Sequence, residues 1–177
     1  MTARAPGIDS RVRGPSEHGA AGASARGRKL NRVDIFTDGA CQGNPGPGGW
    51  AAVLVSGQHR REVTGYAPAT TNNRMELQAA LEGLRNLKQP CEVGLYTDSQ
   101  YLKNGMESWL AKWKRNGWRT AAKQPVKNAD LWEALEAEAG KHTLRWHWVR
   151  GHDGHVENER CDYLANEAIR RRGPVEA

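Results

Sequence analysis

The feature that most constrains this chain is one amphipathic stripe set between two short β-prone runs. Leu77, Ala80, Leu81, Leu84 and Leu87 recur at helical spacing, which predicts a helix over Asn73 to Leu87 that stops before Pro90. Val33, Ile35 and Phe36 precede it, and Val93, Leu95 and Tyr96 follow. A strand, a helix of that length and another strand fit a right-handed crossover, so the later strand lies parallel to one already in the sheet. Trp50 to Val55 and Glu62 to Tyr66 read as two further strands with short connections, an antiparallel meander with the first run. The sheet is therefore mixed.

The remaining elements extend the same layering. The first strand is expected to stop at Thr37-Asp38-Gly39, followed by the turn-rich Gly43-Asn44-Pro45-Gly46-Pro47-Gly48-Gly49. Helical pieces are predicted over Tyr101 to Lys114, interrupted near Gly105, and over Ala129 to Ala139, with a strand at Leu144 to Val149 after them. A last helix spans about Asn158 to Arg172, its apolar stripe being Cys161, Leu164, Ala165, Ala168 and Ile169, before Gly173-Pro174 ends it. The order describes a layered α/β domain with no internal repeat.

At 177 residues the chain holds one ordinary domain and not two, placed at 31–172 with a short tail at 173–177. Residues 1–30 are rich in Ala, Gly, Ser and Arg and contain no aromatic residue, so they read as a disordered basic tail. An Arg-rich organelle leader fits less well, because Asp9, Glu17, Pro6 and Pro15 interrupt it. No apolar run spans a bilayer or forms a secretory h-region, so a cytoplasmic, monomeric protein without membrane contact is expected. Cys41, Cys91 and Cys161 are odd in number and widely spaced, which fits reduced thiols better than a zinc site or a disulfide scaffold.

Charge is localised. Residues 103–127 carry seven Lys or Arg against one acid, a block suited to a polyanion because phosphate backbones are bound chiefly through such cations. A solvated face is the alternative.

Asp38 and Asp98 each stand where a predicted strand runs out, and in open α/β sheets the reacting site lies beyond such ends. Each could instead serve locally, Asp38 in a turn and Asp98 as a helix cap. Glu76 fits a capping box begun at Asn73. Asp162 lies at the edge of the last helix's apolar stripe, where an acid needs a partner or a cation. Four acids gathered from two strand ends and two helices repel one another. Hard oxygen ligands of this kind suit Mg²⁺ or Mn²⁺, and a pair of such ions stabilises both the attacking and the leaving oxygens of an in-line displacement at phosphorus.

The runs IFTDGACQGNPGPGGW, TTNNRMEL, YTDSQY, KRNGW followed by KQPVKNADLW, and WVRGHDGHVENERCDYLA resemble the bacterial type 1 ribonuclease H family in order and spacing, over about Asn31 to Arg172. The resemblance implies a three-layer domain with a five-stranded mixed sheet flanked by helices. It implies an endonuclease that hydrolyses the RNA strand of RNA·DNA hybrids with two Mg²⁺ ions, leaving 5′-phosphate and 3′-hydroxyl ends. The family's metal-binding acids fall on Asp38, Glu76, Asp98 and Asp162, and its mobile-loop histidine falls on His152. Asn44, Asn72, Asn73 and Gln100 match positions that read the minor groove, and Thr71 with Asn44 matches a pocket for a DNA-strand phosphate. Lys112, Lys114, Arg115, Trp118 and Arg119, with Lys103, Lys123 and Lys127, match its basic protrusion. Trp109 and Trp113, one helical turn apart, are expected to pack rather than to stack on bases.

Two rivals share the fold. A noncatalytic hybrid-binding module would lack one of the acids, and none is missing. A DNA-directed nuclease or strand-transfer enzyme would lack the combined groove-reading and protrusion motifs, although fold alone does not fix function.

Overall fold

The computed structural model describes residues 30–150 and 155–176; residues 1–29, most of the predicted basic tail, lie outside them. Five strands form one mixed sheet: β1 (Asn31–Cys41), β2 (Gly46–Ser56), β3 (His59–Thr70), β4 (Cys91–Thr97) and β5 (Thr143–Trp148), in the order β3-β2-β1-β4-β5. The meander β1-β2-β3 is antiparallel, and β4 and β5 add in parallel, as the crossover requires. The helices are α1 (Asn72–Arg85), α2 (Gln100–Asn104), α3 (Leu110–Arg115), α4 (Ala129–Ala139) and α5 (Val156–Arg171), with a π-helical turn, Gly105–Trp109, joining α2 to α3.

Two apolar layers hold the sheet between helices. Ile35, Leu77, Leu81, Leu84, Val93, Leu95, Leu102, Trp132 and Leu135 form the larger core, between the sheet and α1, α2 and α4. On the opposite face Cys161, Leu164 and Ala165 of α5 pack on Ala51 and Val53. Alternation along β1 explains the split, since Val33 and Ile35 join the first core while Phe36 packs with the second. Truncating a fully buried leucine such as Leu84 costs about 2–5 kcal/mol.

Both meander strands β2 and β3 run longer than expected, and most other ends shift by a residue or two; three differences have a physical reason. β1 does not stop at Thr37-Asp38-Gly39; its pairing with β2 continues to Cys41 opposite Gly48, so backbone hydrogen bonds override a turn-like composition and the loop shrinks to 42–45. α1 begins one residue earlier than predicted, capped by Thr71, whose hydroxyl accepts from the Arg74 N–H at 3.2 Å. Glu76 therefore does not complete a capping box from Asn73. The interruption near Gly105 is a shift of helical register rather than a break. A Cβ on Gly105 would lie 2.0 Å from the Trp132 ring, so only glycine lets that indole pack against the helix backbone at this point.

Candidate active site

Asp38, Glu76 and Asp98 each offer a carboxylate oxygen, and the three oxygens lie within 4.8 Å of one another. Local packing explains how they meet. Parallel pairing of β1 with β4 ends at Phe36 opposite Tyr96, leaving Asp38 and Asp98 two residues beyond that pair on neighbouring strands. Asp98 is exposed just past β4, and the helix cap that follows is Ser99, whose hydroxyl accepts from the Leu102 N–H at 3.0 Å. Asp98 is thus not the cap, and its carboxylate is left for other work. α1 presses against β1 at Gly39, where a Cβ would stand 2.5 Å from the Glu76 nitrogen. That close approach brings Glu76 beside Asp38.

The electrostatics of the cluster are unfavourable as it stands. Burial, then the charge of Asp98 and contact with Asp162, push Asp38 up to about 8 although the Gly39 N–H donates to it at 2.9 Å. Burial first, and then Asp38 and Asp98, hold Glu76 well above the ordinary carboxylate range. Its Oε2 is buried without a hydrogen-bond partner. Carboxylates arranged this way need either protons or a cation. An orphaned buried oxygen, converging oxygen ligands and no nitrogen or sulfur donor among them fit a hard divalent ion.

Asp162 adjoins Asp38 from α5 and stands outside the close trio. The Asn166 amide steadies it, donating to its backbone carbonyl at 2.9 Å and to Oδ1 at 3.4 Å. His152 lies outside the described residues.

The polar residues expected to meet substrate are carried by the β1–β2 loop and by the starts of α1 and α2. Asn44 Oδ1 accepts from the Asn72 N–H at 2.9 Å, which ties the β1–β2 loop to the start of α1 and leaves the Asn44 amide to donate outward. Thr71 is spent as a cap acceptor but keeps its hydroxyl proton for donation. Asn73 and Gln100 are exposed in the first turns of α1 and α2.

Sequence reasoning missed the network that holds these turns. Arg74 donates to Asp130 at 3.0 and 2.8 Å and to Asn128 Oδ1 at 3.0 Å. Asn128 Nδ2 and Trp132 Nε1 both donate to the Tyr101 hydroxyl, at 3.0 and 3.1 Å. Neighbours of Asn73 and Gln100 are thereby joined through Asn128. The only sequence signal was an Asn immediately before a helix, and the motif gave it no partner.

The basic segment after α3 is folded. Trp118 N–H donates to Trp113 O at 2.7 Å and Val126 N–H to Trp118 O at 3.0 Å, while Trp113 packs against Trp109, Trp118 and Trp132. The tryptophans form its base, and Lys112, Arg115, Arg119 and Lys123 are exposed around it. Lys114 differs, being paired with Glu136 of α4.

Comparison with known proteins points to one family. The RNase H family model matches residues 30–170. Ribonuclease H of Aeromonas hydrophila is 59% identical over 139 residues, covering 78% of this chain and 90% of that protein. Ribonuclease H of Rhodopseudomonas palustris is 61% identical over 137 residues, 77% and 88% of the two chains. LC9-RNase H1, described as a type 1 RNase H with the type 2 active-site motif, superposes with a TM-score of 0.73 at 32% identity, over 81% of this chain and 74% of that one. LC11-RNase H1, solved in complex with an RNA/DNA hybrid, gives 0.60 at 25% identity, over 79% and 98%. This chain belongs to the ribonuclease H family, in its type 1 branch.

Proposed function

We propose that residues 31–172 hydrolyse the RNA strand of RNA·DNA hybrids, leaving a 5′-phosphate and a 3′-hydroxyl, with Mg²⁺ held by Asp38, Glu76, Asp98 and Asp162. The observation that carries this reading is the convergence of three carboxylate oxygens within 4.8 Å, one of them on a glutamate with an unpartnered buried oxygen. Bound divalent ions supply charge stabilisation for an in-line displacement at phosphorus, Mn²⁺ being able to substitute for Mg²⁺.

The chain's own groups do the rest. Asp38 and Glu76 bring negative charge to a buried place where the fold resists it, which makes ion capture favourable and releases protons. Asn44, Thr71, Asn72, Asn73 and Gln100 orient the duplex through hydrogen bonds to sugar and phosphate, and 2′-hydroxyls select the strand to be cut. Lys112, Lys114, Arg115 and Arg119, with Trp118 beside them, grip the backbone without reading base sequence. His152 assists proton transfer or product release.

Three free cysteines and the lack of any described helix long and apolar enough to cross a membrane support a cytoplasmic assignment. Among the described residues the exposed large hydrophobics are Leu30, Val156 and Tyr163, which supports a monomer.

The test is cleavage of labelled hybrid, duplex DNA and duplex RNA in Mg²⁺, beside Asp98→Asn. Cutting of the hybrid's RNA strand, lost in the variant, supports the assignment. Activity confined to duplex DNA overturns it.

A further inference from the structure

A concavity at the far end of α5 is lined by none of the residues assigned above. A cavity of about 350 Å³ opens between the β1–β2 loop, β3 and the end of α5, lined by Gln42, Pro47, Tyr66, Ile169, Arg170 and Arg172. Gln42 stands two residues before Asn44, and Ile169 lies seven residues after Asp162, about 10 Å further along the helix axis. The concavity therefore lies about two helical turns beyond Asp162 and shares the loop that carries Asn44.

Its walls are set in advance. The Gln42 N–H donates to Pro47 O at 2.8 Å and closes the loop, Tyr66 is paired opposite Gly49 on β2, and Ile169 is anchored in the core. Arg170 and Arg171 are both tied to Glu167, while among the described residues no acid pairs with Arg172. Arg172 itself caps α5 in the left-handed region at φ 56°. Its N–H and that of Gly173 satisfy the carbonyls of Ile169 and Ala168, each at 3.1 Å.

A helix C-terminus disfavours anions by about half a unit charge. Here two terminal carbonyls are capped, and three consecutive arginines face one glutamate, so positive charge prevails. No acid lines the cavity. Its polar side chains can all donate hydrogen bonds, and Pro47 and Ile169 supply an apolar wall. Donors beside an apolar wall match a phosphate joined to a ribose.

We propose that this cavity binds a backbone phosphate and its sugar from the hybrid, extending the duplex contact past Asn44 on the side away from the basic protrusion. The proposal rests on the hybrid being the substrate. Arg172 supplies the charge, and Gln42 and Tyr66 orient the oxygens.

The test is the salt dependence of hybrid binding by the full chain, measured under chelation so that nothing is cut. Arg172→Gly removes the cation while giving the left-handed cap its preferred residue, so the melting temperature holds. The slope of log K against log salt should fall by about one, Arg172→Lys should keep it, and Lys112→Ala should lower it independently. Arg85→Ala, on a distant helix end, should leave it unchanged. A wild-type slope in Arg172→Gly, with the Lys112→Ala effect intact, overturns the proposal. So does a result in which Arg172→Gly abolishes only competition by inorganic phosphate, because the cavity would then hold a free anion. Failure of the unaltered protein to bind any hybrid would instead remove the functional reading on which this one stands.

Discussion

Phe36 on β1 sits opposite Tyr96 on β4, and the parallel pairing of those strands ends at that pair. Asp38 on β1 and Asp98 just past β4 each follow two residues later, so one register sets both residues at the same level. Beyond this point the backbone of β1 pairs with β2 alone, which opens a gap beside it. α1 fills part of that gap and brings Glu76 with it.

The buried carboxylates give a pH signature to the metal-free protein. Asp38 sits at about 8 against an ordinary 3.8, and Glu76 is shifted the same way. The folded chain thus keeps protons that the unfolded chain releases. The stability they contribute is complete below about pH 4 and is lost as pH rises, for Asp38 through about pH 8. Thermal unfolding in chelator should show a falling melting temperature over this range. Mg²⁺ should restore more of it at the alkaline end.

Glu76→Gln keeps the shape and removes the charge. In the absence of metal it should raise stability by about 1–3 kcal/mol, because a buried acceptor without a partner is relieved, while hybrid cleavage falls by about two orders of magnitude or more. Denaturant melts beside single-turnover rates check both halves.

Gly39→Ala tests how α1 is held. A Cβ there would meet the backbone of Met75 and Glu76 at 2.5 Å, and backbone does not yield as a flexible side chain does. A cost near the upper end of about 1–3 kcal/mol is expected, together with weaker divalent-ion binding as Glu76 moves away. Unchanged stability would show that α1 is not packed on β1 at this point.

The layered fold was legible because hydrophobic period and connection length each pointed to the same mixed sheet. Single positions were less so. Composition placed the end of β1 at Asp38, whereas pairing with β2 carried it to Cys41, a long-range effect that local residues do not announce. Glu76 resembled a cap from its spacing to Asn73, and only Thr71 taking that role frees it for the cluster. The Arg74–Asn128–Tyr101 network joins residues far apart in sequence, so no local pattern could reveal it.

The cations of the protrusion should not contribute equally. Lys112 is exposed, whereas Lys114 is partnered by Glu136. Lys112→Ala should reduce the salt slope of hybrid binding by about one, and Lys114→Ala by less. Equal effects would mean that the Glu136 pair opens when substrate binds.

The meeting of Asp38 with Asp98 and Glu76 is most directly tested by calorimetric titration of the protein with Mn²⁺ at neutral pH, in two buffers of different ionisation enthalpy. Binding with net proton release, lost in Asp38→Asn while its fold is retained, is the predicted result. Binding of equal strength by Asp38→Asn with no protons released would contradict it.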